Sequence, residues 1–354
     1  MSRHDRKNEH IRLALEEGLR EADFSDLHLI HNCLPEVAME EVTLDTVFAG
    51  LPLKLPFFIN ALTGGSTVAE KINQDLAEVA RDCGLAMAVG SQMAALEKPS
   101  LVRTFEIVRE VNPEGIIIGN IGAYATVKMA EEAVAMINAD ALQLHLNAPQ
   151  ELAMDAGEGD RSFAGHLERI AEVARSLKVP VIAKEVGFGI ARREALLLLH
   201  SGVKAIDVGG RGGTNFMRIE SKRNSFPLPK GISDWGLPTA ISLVEVLDAV
   251  RGENKSVDVG ASGGLNSSLH IVKALALGAK AVGLAALPLY ILLKEGKEAL
   301  KEKIASLKRE IIMLFTMLGA RSITELQRRP LVITGKTAEW LIRRGVNVDY
   351  YARR

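Results

Sequence analysis

The chain has 354 residues, 47% apolar and 25% charged, with a formal net charge of −1. That balance fits a globular protein and gives no bulk charge for holding nucleic acid or an acidic membrane surface. Cys33 and Cys83 form no metal-ligand spacing, and the charged start lacks an apolar signal core, so a reducing, cytoplasmic setting is expected. The longest apolar run, 281–293, is broken by Gly283 and Pro288 and is too short to span a bilayer.

Residues 1–23 read as a charged, weakly amphipathic helix with Ile11, Leu15 and Leu19 spaced by four. A mixed lead-in with short strand candidates covers 24–55. Eight short apolar runs follow, at 56–61, 86–90, 116–120, 141–146, 180–185, 205–209, 257–261 and 280–285. Helical patterns separate most of them, for example over 66–82 and 123–138. Eight strand–helix units predict an α/β fold, a (β/α)8 TIM barrel with an N-terminal helical extension and C-terminal helices. The chain is read as one domain, with the extension over 1–55, the barrel over 56–299 and the C-terminal helices over 300–354. Those helices are expected near 288–319, 322–328 and 335–344, and the tail from Tyr350 to Arg354 at a surface or interface.

Two connections are long. One follows strand four around Asp155-Ala156-Gly157-Glu158-Gly159-Asp160. The other runs from Gly209 to Pro238. Loops of that length in a compact enzyme are usually lids or binding loops.

A barrel of this kind carries its chemistry at the carboxyl ends of its strands. Strand six runs into Gly209-Gly210-Arg211-Gly212-Gly213-Thr214-Asn215, strand seven into Ser262-Gly263-Gly264, and strand eight into Ala285-Ala286. Glycine bares backbone N–H groups, and a helix start behind them adds partial positive charge, so a phosphate site is expected there. Tight turns that need glycine for geometry alone are the alternative, and the clustering at adjacent late strands argues against it. Asn60-Ala61-Leu62-Thr63-Gly64-Gly65, Ser91-Gln92, Asn120 and Lys184 supply polar groups around the same mouth and suit a flavin ring. Lys184 would neutralise a reduced ring, or else simply pair with Asp207 or Glu185.

In strand four, Gln143, His145 and Asn147 alternate with Leu142, Leu144 and Leu146, which puts the polar set on one face. Gln150 and Glu151 follow. Polar residues facing into a barrel are costly unless used or satisfied. Glu151 fits a single-carboxylate Mg2+ ligand with water and phosphate oxygens completing the shell. Arg6, Lys7 and His10 lie within one helical turn and could grip a diphosphate, although an isolated charge run is more often a solvated face.

Together these segments resemble the type 2 isopentenyl-diphosphate delta-isomerases. The likeness rests on Arg6-Lys7 with His10, Asn60 to Gly65, Ser91-Gln92, His145 to Glu151, Gly212-Gly213-Thr214 and Asp234-Trp235-Gly236-Leu237-Pro238-Thr239, and it spans about residues 3–344. The resemblance implies reversible conversion of isopentenyl diphosphate to dimethylallyl diphosphate, with reduced FMN, Mg2+ and NADPH as reductant, in a homo-oligomer (tetramer or octamer).

It implies that Arg6, Lys7, His10, His145, Asn147 and Gln150 bind substrate, that Gln150, Lys184 and Glu220 are catalytic, and that Glu151 holds the metal. Leu62, Thr63, Gly64, Ser91, Asn120, Lys184 and Thr214 would contact FMN, and Ser262, Gly263, Gly264, Ala285 and Ala286 would take its phosphate. Asn8 stands where relatives often carry Asp, and Leu62 where they carry Met. Met93 stands where some carry Arg, which removes one diphosphate contact.

Three rival readings make distinct demands. An FMN-dependent 2-hydroxy-acid dehydrogenase or oxidase needs a His base and a substrate Arg at the late strands, where only Arg211 and His270 are on offer. An IMP-dehydrogenase-like enzyme needs a cysteine after strand six, and Cys33 and Cys83 both lie upstream. A non-catalytic barrel binding a phosphorylated ligand has no use for the intact strand-four cluster.

Overall fold

In a computed structural model, residues 3–155, 157–224, 228–253 and 255–354 are described, the side chains of 3–6, 67 and 230 excepted. Met1, Ser2 and Ala156, parts of the expected N-terminal helix and strand-four loop, lie outside the described residues, as do 225–227 of the long late connection.

The eight apolar runs form eight parallel strands: Phe57–Ile59, Met87–Ala88, Ile117–Gly122, Ala141–Leu146, Val181–Glu185, Ala205–Asp207, Asp258–Ser262 and Ala281–Leu284. They follow one another around a closed barrel, which strand eight seals against strand one through the pair Leu284 and Ile59. Local signals set the helix limits. Ser66 caps the helix Thr67–Cys83 by accepting from Ala69 N, and Gly84 ends it at φ 68°. Thr126 and Asn138 bracket Val127–Ile137 in the same way.

Register then decides which side chains share a level. Gly122 pairs with His145, His145 with Lys184, Lys184 with Asp207, and Asp207 with Gly260. Below that level the barrel is filled by Phe58, Ala88, Ile118, Ala141, Ile182 and Ala205. A hairpin of Thr46–Phe48 and Leu51–Leu53 plugs the amino-terminal end, and its Phe48 ring stacks on Phe58 at 6.0 Å. Strand seven needs glycine at 260 to admit that ring, because a Cβ there would sit 2.8 Å from Phe48 Cζ. Leu142 and Leu144 pack outward into the main core, as the alternation predicts.

Several boundaries differ from expectation. The first helix spans Arg3–Glu17 and stops before Gly18, whose φ is 69°. The helix expected over 288–319 is two helices, Ala286–Glu295 and Lys297–Met317, because Gly296 at φ 93° leaves the helical region. The connection over 209–238 contains the helix Phe216–Arg223, capped by Asn215, and a short helix at Lys230–Ser233. The tail is not simply surface. Tyr351 is fully buried beneath the guanidinium groups of Arg251 and Arg354, while Tyr350, Ala352 and Arg353 are exposed. An unforeseen strand, Leu331–Ile333, pairs antiparallel with Leu27–Leu29 and ties the two extensions together. Among the described residues, no helix is long and apolar enough to cross a membrane.

Candidate active site

A cavity of about 500 Å3 opens at the carboxyl ends of the strands. Lys7, His10, Leu62, Thr63, Gly64, Ser91, Asn120, His145, Asn147, Gln150, Glu151, Lys184, Thr214, Ser262, Gly263, Gly264, Ala285 and Ala286 all border it. Residues expected to act together, from Lys7 near the start of the chain to Ala286, therefore meet around one space. Arg6 lies on the first helix, but its side chain is outside those described. Glu220 is fully buried and stands behind the cavity wall.

The floor is a hydrogen-bonded network. Lys184 Nζ lies 3.6 Å from Asp207 Oδ2 and donates to Ser262 Oγ at 3.3 Å and Glu185 O at 2.8 Å. Ser262 Oγ donates to Asp207 Oδ1 at 2.6 Å, and Asn60 Nδ2 donates to Asp207 Oδ2 at 2.8 Å. Gln143 Nε2 donates to Asn60 Oδ1 at 3.0 Å, while its own buried Oε1 has no partner. The lysine is thus paired with Asp207, one of the two partners expected for it, and also faces the cavity. The Glu185 carboxylate faces away. Its Oε2 accepts from Gly187 N, Phe188 N and Gly189 N, and burial pushes the carboxyl up to about 8 against those three donors.

His145 Nδ1 lies 2.9 Å from Asn120 Oδ1. Burial, then Lys184 and Lys7, lowers the imidazole to about 4, so the ring is neutral near pH 7. With Nδ1–H donating to Asn120, Nε2 is left as an acceptor. Thr63 Oγ1 donates to Asn73 Oδ1 at 2.7 Å, so this residue meets the cavity with its backbone rather than a free hydroxyl. Gln92 is a correction. It is fully buried away from the mouth, where it accepts from Asn120 N and donates to Ala133 O, fixing strand three against its helix.

The roof comes from outside the barrel. Lys7 Nζ donates to Ser91 O at 2.7 Å, and Ile11, Leu15 and Leu19 turn their apolar stripe toward the cavity. His10 Nε2 lies 2.7 Å from Glu220 Oε1, and its ring meets Phe216 edge-on. Gln150 Nε2 donates to Glu220 Oε1 at 3.3 Å. Burial works to raise the Glu220 carboxyl, but His10 and Arg223 outweigh it and hold it below the usual range. Glu151 Oε1 accepts from Asn147 Nδ2 at 2.7 Å and Oε2 from Asp160 N at 2.9 Å. Each oxygen keeps a lone pair for a cation. Among the described residues no group of three His, Cys, Asp or Glu side chains forms a self-sufficient metal site.

The late glycines answer first to packing. A Cβ on Gly263 would fall 2.1 Å from Gly210 O, and one on Gly264 would fall 2.3 Å from Gly212 O, at φ +110° and +81°. The turns after strands six and seven press backbone on backbone, and both still border the cavity. Beside them the helix Ala286–Glu295 begins at Ala285 with no side-chain cap, so its first N–H groups are open to an anion. An uncapped helix start, a floor cation and a polar wall fit FMN. Tyr124, Phe216 and Tyr290 also border the cavity and were not foreseen: Tyr124 stands in a turn, and Phe216 and Tyr290 on the helices Phe216–Arg223 and Ala286–Glu295, whose placement over the mouth is not a local property. Arg211 and His270 do not border it, and His270 packs against Phe24 instead.

The family model for FMN-dependent dehydrogenases matches residues 122–333. The chain is 49% identical to the isopentenyl-diphosphate delta-isomerase of Geobacillus sp. (strain WCH70), over 100% of both chains. It is 47% identical to that of Moorella thermoacetica over 95% of each, and 43% to that of Symbiobacterium thermophilum over 99% of this chain and 98% of the relative. Among solved structures, a mandelate oxidase with (S)-2-phenylpropionate superposes with a TM-score of 0.64 at 18% identity, covering 92% of this chain and 90% of its own. That last likeness concerns the fold alone.

Proposed function

Since the chain belongs to the isopentenyl-diphosphate delta-isomerases and carries the FMN-dependent dehydrogenase barrel, we propose that this cavity interconverts isopentenyl and dimethylallyl diphosphate over a bound flavin. The enzyme is an isomerase and a flavoprotein. The observation that carries the site assignment is the cavity's division. Lys7 and His10 border the cavity from the N-terminal helix, the uncapped helix start at Ala285 offers N–H groups after strand eight, and Lys184 stands on the floor at the end of strand five.

In this reading the turn at Ser262-Gly263-Gly264 and the start at Ala285-Ala286 take the FMN phosphate. Leu62, Thr63, Gly64, Ser91, Asn120, Lys184 and Thr214 border the ring. Reduced FMN, when bound, supplies an electron-rich face that favours a carbocation-like transition state and takes part in proton transfer. Lys184, neutralised by Asp207 in the protein, is placed to balance negative charge on that face. Arg6, Lys7 and His10 grip the diphosphate, with Asn147 and His145 beside them. The neutral His145 presents an acceptor at Nε2, so a diphosphate arriving there recruits a proton to the ring. Gln150 lies beside the reacting alkene and Glu220 orients it. Glu151, with both oxygens steered by Asn147 and Asp160, holds Mg2+ while diphosphate oxygens and water complete its shell. Met93 borders the same cavity and lends no charge.

NADPH as the reductant, a homo-oligomeric state (tetramer or octamer) and a cytoplasmic location complete the proposal. The hydroxy-acid dehydrogenase reading loses its ground, because neither His270 nor Arg211 reaches the cavity.

The test is an anaerobic NMR assay with FMN, NADPH, Mg2+ and isopentenyl diphosphate in D2O. The expected result is dimethylallyl diphosphate carrying deuterium. Unchanged substrate beside bound, reduced flavin overturns the proposal.

A further inference from the structure

Helix Phe216–Arg223 sits over the cavity, and its last residue does more than end it. The Arg223 side chain is 5% exposed. Its three guanidinium nitrogens go to three carboxylates. Nε donates to Glu9 Oε2 at 2.8 Å, Nη2 to Glu158 Oε2 at 3.3 Å, and Nη1 to Glu220 Oε2. These carboxylates come from the N-terminal helix, the loop after strand four and the arginine's own helix. Each of these segments also borders the cavity, through Lys7 and His10, through Gly159 and Asp160, and through Phe216.

We propose that Arg223 is a positioning residue for the isomerisation: it clasps the three roof segments together and holds Glu220 against Gln150 and His10. The proposal rests on the reading of Glu220 given above. A planar guanidinium presents donors in several directions at once, whereas an ammonium is a point charge on a flexible stem. Without the arginine, Glu9, Glu158 and Glu220 would lose the guanidinium they share, leaving His10 beside Glu220 and Arg12 beside Glu9. Like charges no longer bridged separate the segments that carry them. The barrel does not depend on this contact, since its strands pair among themselves. Opening of the roof, and not unfolding, is the expected consequence.

The test compares Arg223→Met, Arg223→Lys and Glu220→Gln with the unaltered holoenzyme. FMN content, kcat, the pH profile of kcat and amide hydrogen exchange over residues 3–17 are read in each. Arg223→Met is expected to keep FMN, lower kcat by about 100-fold, and speed exchange across the N-terminal helix. It should also move the acid limb to higher pH, because the groups then facing Glu220 are His10, Gln150 and the released Glu9 and Glu158. Arg223→Lys keeps a charge beside Glu220 and should leave the acid limb in place while still speeding exchange. This variant serves alone if Arg223→Met does not fold.

Unchanged exchange and kcat in the Arg223 variants, with Glu220→Gln impaired, overturn the clasp and leave the Glu220 reading standing. Full turnover in Glu220→Gln, with exchange raised in the Arg223 variants, overturns the Glu220 reading and keeps the clasp. A kcat loss in Arg223→Met with exchange and acid limb both unmoved also overturns the proposal.

Discussion

Lys184, Asp207 and Ser262, beneath the cavity, belong to strands five, six and seven; Asn60, after strand one, reaches Asp207, and Gln143 on strand four reaches Asn60. Lys7, His10, Glu158 and Glu220, above or behind it, come from a terminal helix and two long connections. The floor is fixed by main-chain register, so each polar group is held by the ladder as well as by its partner. The roof segments meet one another mainly through side chains, among them Arg223 with Glu9, Glu158 and Glu220, Lys222 with Glu17 and Asn224 with the Ala153 carbonyl. A rigid floor suits a cofactor that stays, and a side-chain roof suits a substrate that must enter and leave. Substitutions in the floor should therefore cost stability first, and substitutions in the roof should cost turnover first.

The largest effect is expected from Lys184→Met. It leaves Asp207 buried with its cation gone, a loss of about 3–5 kcal/mol in unfolding free energy measured in urea. A loss under about 1 kcal/mol would mean that the floor is not the rigid half. Next comes Gln150→Ala, which should lower turnover by about 100-fold while leaving FMN bound and the unfolding midpoint within a few degrees. Normal turnover would remove Gln150 from the chemistry.

His145 joins the two halves and titrates with a sign that can be checked. Its folded value, about 4, lies below the ordinary 6.5, so folding favours the neutral ring. Stability is fully present above pH 6.5 and falls as the pH drops toward 4. The loss is roughly 2 kcal/mol, discounted because the ring borders an open cavity. His145→Gln should remove that part of the acid sensitivity, and an unaltered pH curve would show that the ring is not held neutral. The smallest effect is expected from Glu151→Gln, which should raise the Mg2+ concentration for half-maximal activity by about tenfold. An unchanged metal dependence would take Glu151 out of the metal shell.

Much of this was legible in the chain. Period two in strand four placed Gln143 and His145 inward, because alternation is a property of any extended strand. The helices expected over 66–82 and 123–138 stand at Thr67–Cys83 and Val127–Ile137, the second starting later because Thr126 caps it. Gln92 was misjudged for the converse reason. Its position after a strand end suggested the mouth, but only its neighbours on strand three and the following helix turn it inward. Tyr351 was misjudged similarly, since burial beneath Arg251 and Arg354 depends on a residue 100 positions away.

The sequence by itself determined the barrel, its succession of strands and the face on which the polar residues of strand four stand, because these follow from local periodicity and turn chemistry. Tertiary structure alone decided that Asp207 partners Lys184 and Ser262, and that the glycine turns press on each other. It also decided that Arg223 reaches Glu9 and Glu158 across 214 and 65 residues. Those pairings depend on register around a closed sheet and on which loops fold over its mouth, and no local pattern encodes a distance between segments far apart in the chain.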